Sequence, residues 1–137
     1  MTDPVLPPAK IAEALDTEPV AWLTTVRRDG QPQASPVWFV YDDAAGFTIY
    51  SRPDAPRLRN IGRHPRVSLN LDSQDGGRVI SVEGIAVITD EPPSDAHPGY
   101  REKYLERMTR MGYTPERFAA EYSSVVRVAA TRWRVDV

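Results

Sequence analysis

The chain has 137 residues, of which 41% are hydrophobic and 26% charged, a composition that is ordinary for one folded domain. Its 17 basic and 19 acidic residues leave a net charge of −2, which argues against binding nucleic acid or an anionic membrane through a global field. The absence of cysteine excludes disulfides, thiolate nucleophiles, iron–sulfur clusters and cysteine-ligated zinc. No apolar run reaches the ~20 residues of a membrane span, and the first residues lack the pattern of a signal peptide, so we expect a cytoplasmic protein.

The first part of the chain predicts a helix and a hairpin. Apolar residues four apart within 9–15 predict a short helix. The β-type residues of 20–26 predict a strand, and Asp29-Gly30 predicts a tight turn because glycine tolerates positive φ. The return strand is predicted over 33–41, where Pro36 indicates an edge position or a bulge.

The middle of the chain alternates between strand and helix signals. A strand is predicted over 47–51, and a helix within 53–64 that begins near Pro56. Alternating apolar residues predict a half-buried strand over 67–71. The longest strand is predicted over 79–89, with a bulge or bend at Gly84.

The last part predicts two helices and a closing strand. One helix is predicted over 98–111 because four large residues fall on one stripe: Tyr100, Tyr104, Met108 and Met111. Thr114-Pro115 is typical of an N-cap followed by proline in the first turn of a second helix. A final strand is predicted over 125–135.

Six mostly antiparallel strands with helices at the ends favour a mainly β fold, a small β-barrel, over a parallel α/β sheet. We expect one domain over residues 1–137, with an N-terminal helix and arm over 1–18 and a helical insertion over 91–122 before the last strand.

The usual catalytic signatures are missing. The chain has no Gly-x-Gly, no P-loop and no Gly-x-Ser-x-Gly, and its two histidines, His64 and His97, lie beside prolines at predicted surface or capping positions. We therefore predict no catalytic side chain and no metal site. If the protein is an enzyme, we expect a cofactor to supply the chemistry.

A basic cluster surrounds the junction between the strand over 47–51 and the next helix. It consists of five arginines against one acid, Asp54: Arg52, Arg57, Arg59, Arg63 and Arg66. A helix N-terminus with nearby guanidinium groups can bind a phosphate. The alternative is a solvated basic helix face.

Trp38 is a second candidate feature. Strand alternation places it on the face opposite Val37 and Phe39. It can be a core residue, or an aromatic wall beside the phosphate site for a flat, phosphorylated ring.

These residues carry a family resemblance. Residues 21–26 and 29–38 resemble the opening of the flavin-binding split-barrel proteins of the pyridoxamine-phosphate-oxidase-like group. Residues 50–61 look like the group's phosphate loop and helix, and the similarity continues to about residue 135. Residues 130–133 resemble the last strand of the branch that uses coenzyme F420, a deazaflavin.

The resemblance implies a six-stranded antiparallel split β-barrel that forms a homodimer, with two cofactor sites at the subunit interface. Arg57 stands where the group usually carries Lys and would bind phosphate. The full set of implied cofactor contacts is Ser35, Val37, Trp38, Tyr50, Ser51, Arg52, Arg57 and Asn60. From charge alone, we expect Arg52, Arg59 and Arg63 to receive the acidic tail of the deazaflavin.

The leading hypothesis is an F420-dependent oxidoreductase that reduces a small conjugated acceptor. The alternatives are an FMN-binding oxidoreductase of the pyridoxamine-phosphate-oxidase type, or a non-catalytic protein that binds a cofactor or a tetrapyrrole.

Overall fold

A computed structural model describes residues 4–137; the first three residues of the predicted arm lie outside the described part. The described chain contains seven strands: β1 Ala21–Val26, β2 Pro32–Val37, β3 Val40–Asp42, β4 Gly46–Ser51, β5 Arg66–Leu71, β6 Val79–Thr89 and β7 Ser124–Asp136. It also contains four α-helices: α1 Ala12–Thr17, α2 Pro56–Arg63, α3 Pro98–Arg110 and α4 Pro115–Glu121.

The strands form one antiparallel sheet in the order β2-β1-β5-β6-β7-β4-β3. β2 and β3 lie at opposite edges of this sheet, yet only Trp38 and Phe39 separate them in the chain. The sheet must therefore curl until its edges nearly meet, which gives the half-closed barrel of a mainly β fold. We call residues 38–39, where the chain passes from one edge of the sheet to the other, the seam. The prediction of a single strand over 33–41 is wrong, because β2 ends and β3 begins at the seam, so the sheet has seven strands and not six.

Local turn and bulge signals are confirmed. Gly30 has φ +88° in the turn between β1 and β2, and Pro36 lies in an edge strand. The register between β6 and β7 shifts at Glu83/Gly84, so Gly84 marks a bulge. A Cβ atom at Gly84 would lie 2.6 Å from Val128 Cγ1, so only glycine fits there. The longest strand is β7, with 13 residues, and not β6, with 11.

The barrel core is built by the inward face of each strand. In β5 the buried residues are Val67, Leu69 and Leu71, as the alternation predicted. Ile11 and Leu15 of the N-terminal helical segment are 1% and 3% exposed and join this core. Val37 and Phe39 also face it, whereas Trp38 packs outside it.

A second apolar cluster forms under α3 and α4. Its buried members are Tyr50, Tyr100, Tyr104, Met108, Phe118 and Val125. The predicted stripe on α3 is confirmed as far as Met108; the helix ends at Arg110, so Met111 lies beyond it and is 58% exposed. Both predicted caps are present: His97 Nδ1 accepts from Tyr100 N at 3.1 Å, and Thr114 Oγ1 accepts from Arg117 N at 3.1 Å.

Helix α3 closes the seam. Phe39 lies between strands, and its N–H donates to the Tyr104 hydroxyl at 2.9 Å. The same hydroxyl lies 2.8 Å from both Phe39 O and Pro19 O. Lys103 Nζ donates to Phe39 O at 3.0 Å. Side chains of α3 thus replace the sheet hydrogen bonds that the seam lacks.

Candidate functional site

Arg57 is the centre of the site. It is the second residue of α2, and its guanidinium donates from Nη1 to Ser51 Oγ at 2.9 Å and from Nε to Ser35 Oγ at 3.3 Å. The end of β4 and the start of α2 therefore meet here, as the sequence indicated, and β2 joins them through Ser35. Burial lowers the pKa of Arg57 from its usual value; an arginine remains charged at neutral pH all the same.

No carboxylate neutralises this cation within residues 4–137. The ion-paired arginines of the described chain are Arg27, Arg52, Arg78, Arg117 and Arg127. A half-buried cation without a counter-charge is unfavourable unless something else supplies the charge. At the start of α2, Pro56 has no N–H, and the N–H groups of Ala55 and Leu58 already donate to main-chain oxygens. The guanidinium and the two hydroxyls are therefore the groups that would attract an anion. Arg57, Ser35 and Ser51 are therefore the candidate residues for an anion site.

Asn60 lies one turn beyond Arg57 and links α2 to the neighbouring strands by hydrogen bonds. Its Nδ2 donates to Thr25 Oγ1 at 2.9 Å and to Gln33 Oε1 at 3.0 Å. Its Oδ1 accepts from Arg63 Nη2 at 3.0 Å. The amide is 3% exposed and already bonded within the protein, so it holds α2 against β1 and β2.

An aromatic cleft of about 350 Å³ opens beside Arg57. The residues that line it are Pro36, Val37, Trp38, Arg52, Ala55, Arg57, Met111, Phe118 and Tyr122. The indole of Trp38 is stacked on Tyr104, with centroids 4.6 Å apart, and on Phe118 at 5.4 Å. Trp38 thus belongs both to the apolar cluster and to the cleft wall, and the two sequence interpretations are compatible.

Tyr50 does not reach the cleft. Its ring is 6% exposed and packs edge-on against Tyr100 with centroids 4.6 Å apart. It shares β4 with Ser51, but neighbouring residues of a strand point to opposite faces. The side chain of Tyr50 is therefore a core residue.

A basic groove of about 570 Å³ lies on the other side of Arg57. Its lining is Arg27, Arg28, Asp29, Gln33, Pro56, Arg59, Asn60 and Arg63. A small concavity of about 130 Å³ shares Gln33 and Pro56 with the groove and Arg57 with the aromatic cleft. The three hollows are therefore neighbours, with aromatic residues on one side of Arg57 and basic residues on the other.

The structure divides the arginine cluster that the sequence suggested. Arg59 and Arg63 lie in the basic groove, whereas Arg52 lines the aromatic cleft and Arg66 faces a separate hollow near Glu83. The expectation that Arg52 receives an acidic tail together with Arg59 and Arg63 therefore does not fit. Sequence reasoning missed Arg27 and Arg28, whose adjacent positions before the hairpin turn were the only local signal.

Residues 4–137 contain no group of three or more histidine or acidic side chains placed to hold a metal ion. None of their helices has the length and apolarity needed to cross a bilayer.

The chain is similar to known proteins along most of its length. The family model described as pyridoxamine 5'-phosphate oxidase matches residues 7–135. The pyridoxine/pyridoxamine 5'-phosphate oxidase of Xanthomonas oryzae is 30% identical over 93 residues, which are 66% of this chain and 45% of that protein. Its counterpart in Rubrobacter xylanophilus is 36% identical over 75 residues, 55% of this chain and 35% of that protein. The chain thus spans less than half the length of these curated relatives.

Solved structures share the fold. A conserved hypothetical protein of Mycobacterium tuberculosis has a TM-score of 0.75 and 26% identity, covering 98% of this chain and 87% of that one. An F420 reductase has a TM-score of 0.64 and 24% identity, covering 94% and 98%. A heme storage protein of Vibrio cholerae has a TM-score of 0.66 and 16% identity, covering 92% of each chain. The last two likenesses show the fold alone.

Proposed function

Because the chain belongs to the pyridoxamine 5'-phosphate oxidase family, we propose that it is an F420-dependent oxidoreductase that reduces a small conjugated acceptor. The observation that carries the proposal is that the aromatic cleft and the basic groove lie on either side of Arg57, with a small concavity that shares lining residues with both. An elongated ligand with a flat ring, a phosphate and an acidic tail would match the three parts in that order.

The residues present fit such a cofactor. Arg57, with Ser35 and Ser51, would hold the phosphate, because this cation has hydroxyl partners and no carboxylate. Trp38 would lie against the ring, Val37 would border it at the edge of the barrel core, and Asn60 would keep α2 in place. When bound, the reduced deazaflavin would supply a hydride. No acid and no histidine lines the aromatic cleft of the described chain, so the protein's part is to bind, orient and exclude water.

The basic groove supports the choice of the deazaflavin over FMN. FMN ends at its phosphate, so it would occupy the cleft and Arg57 and leave the groove empty. Four arginines line the groove, and its only acid, Asp29, is already paired with Arg27 at 2.5 Å. A tail of several carboxylates would meet this excess of positive charge. The FMN alternative is supported by the pyridoxine/pyridoxamine oxidases among the relatives.

We also propose that a second copy of the chain completes the cofactor site. The split-barrel group places its cofactors between two subunits, and this chain leaves large apolar side chains on the outside of its sheet. Trp22 of β1 is 49% exposed and Val87 of β6 is 54% exposed. We propose a homodimer that covers such residues; sedimentation of the purified protein tests it, and a monomer at micromolar concentration would contradict it.

The experiment that tests the cofactor is a fluorescence titration of the cofactor-free protein with coenzyme F420 and, separately, with FMN. We expect F420 to bind more tightly, with an affinity that falls as salt is raised. The groove variant Arg28→Ser/Arg59→Ser should weaken F420 about tenfold or more, equivalent to about 1.4 kcal/mol, and leave FMN unchanged. The matched control is Arg66→Ser, which removes the same kind of charge outside the groove.

The outcomes separate the candidates. Tighter binding of FMN, with no effect of the groove variant, would assign the protein to the FMN alternative. Binding of neither molecule would refute both cofactor proposals. Tight binding of F420 without turnover in the presence of any acceptor would leave a cofactor-binding protein.

A further inference from the structure

Arg52 has no place in the cofactor assignment above. It lines the aromatic cleft, whereas Arg57 would bind the cofactor phosphate and the basic groove would bind the acidic tail. Its guanidinium carbon lies 4.8 Å from the centre of the Tyr122 ring. The aromatic cleft therefore contains a second cation, apart from the one that the phosphate would use.

The charge of Arg52 is only partly neutralised. Its Nη2 lies 3.3 Å from Glu121 Oε2, and half of its side chain is exposed. The same carboxylate accepts from the Tyr113 hydroxyl at 2.6 Å and lies 3.5 Å from Arg117 Nε. The Tyr113 hydrogen bond, helped by Arg117 and Arg52, lowers the pKa of Glu121 from its usual value. If Arg52 left Glu121 to bind a ligand, Glu121 would thus stay ionised and would keep its contacts with Tyr113 and Arg117.

The walls around Arg52 are apolar. Phe118 and Tyr122 are stacked with centroids 4.3 Å apart, and Met111 closes the cleft beside them. Met111 is 58% exposed although it is a large hydrophobic residue, and its unbranched side chain can adapt to a flat ligand. A flat apolar body would bury this surface, while an anionic group on its edge would reach Arg52.

We propose that the acceptor reduced at this site is a flat conjugated molecule with an anionic substituent, such as a carboxylate, that Arg52 binds. The proposal rests on the proposed function, since it names the substrate class of the same cleft. It assigns Arg52 to substrate recognition, Arg57 to the cofactor phosphate, and Met111 and Tyr122 to the apolar contact.

The test compares two probes of the same shape, 2-naphthoate and its neutral counterpart 2-naphthamide, by ligand-observed NMR titration. Binding is measured with coenzyme F420 bound and, separately, with inorganic phosphate at saturating concentration to occupy Arg57. The wild-type protein should bind the acid about tenfold more tightly than the amide. Arg52→Gln should remove this preference, whereas Arg117→Gln, which also contacts Glu121 but does not line the cleft, should keep it.

Three results would overturn the proposal. The first is equal affinity for the acid and the amide, and the second is an equal loss of affinity for both probes in Arg52→Gln. The third is displacement of naphthoate by F420, which would mean that Arg52 contacts the cofactor ring and not the substrate. The measurement with inorganic phosphate tests Arg52 without F420, so the substrate proposal and the cofactor proposal can fail separately. If F420 fails to bind but the phosphate arm shows the Arg52-dependent preference, the proposed cofactor is wrong and the anionic ligand class remains.

Discussion

The hydroxyl of Tyr104 should contribute strongly to stability, because it replaces main-chain bonds at the barrel seam. Tyr104 is fully buried on α3 and accepts the N–H of Phe39 at 2.9 Å. Removing the hydroxyl in Tyr104→Phe leaves that N–H without a partner in the interior. Phe39 O keeps the bond from Lys103, so the main-chain groups that lose a partner are the N–H of Phe39 and the carbonyl of Pro19.

The size of the effect follows from this loss. An orphaned buried donor costs about 1–3 kcal/mol, and the lost hydrogen bond adds to it. The Phe ring preserves the stacking on Trp38, whose centroid lies 4.6 Å away, so packing changes little. We expect a loss of about 2 kcal/mol, which for a chain of this size lowers Tm by roughly 7 °C.

Tyr100→Phe is the matched control, since the residue lies one turn earlier on the same helix and is equally buried. Its hydroxyl is buried and has no hydrogen-bond partner among residues 4–137, so its removal relieves a desolvation cost and should leave the free energy of unfolding unchanged or raise it. Urea unfolding of the three proteins, followed by circular dichroism, measures the difference. Equal destabilisation by both substitutions would refute the role assigned to the seam.

Three other predictions concern the bulge, the seam lysine and the anion site. Gly84→Ala should lose about 2 kcal/mol in urea unfolding, because its Cβ would lie 2.8 Å from Ala129 O, whereas Gly62→Ala, with nothing within 4 Å, should be neutral or stabilising. Burial lowers the pKa of Lys103 to about 8 from 10.5, so the unfolded chain binds more protons above pH 8. The free energy of unfolding should therefore gain a positive slope between about pH 8 and 9.5 that Lys103→Met lacks; equal slopes would contradict this. Arg57→Met should unfold within about 1 kcal/mol of wild type without ligand, yet lose the rise in Tm that inorganic phosphate gives the wild type; a retained rise would remove Arg57 from the anion site.

Much of the local structure could be predicted because its causes lie within a few residues. The turn at Gly30 needs positive φ, the alternation in β5 matches the period of a strand, and Thr114 caps the helix that Pro115 begins. The position of Arg57 could also be predicted, since it follows β4 by only a few residues at the start of α2.

Other features depended on contacts between distant segments. The interruption of the predicted strand at residues 38–39 depends on the sheet order, which places β2 and β3 at opposite edges. Arg27 and Arg28 join Arg59 and Arg63 because the β1–β2 hairpin lies beside α2, about thirty positions away in the chain. Nothing in the local pattern around residue 28 indicates this contact.

The sequence by itself determined the mainly β class, most strand and helix positions, and the cation at the start of α2, because hydrophobic period, turn residues and caps act over short distances. Only the tertiary structure decided that Tyr50 is a core residue, that Arg52 lies in the aromatic cleft, and that the groove contains four arginines. The curl of the sheet and the packing of α3 and α4 set these positions, and both depend on pairings between residues far apart in the chain.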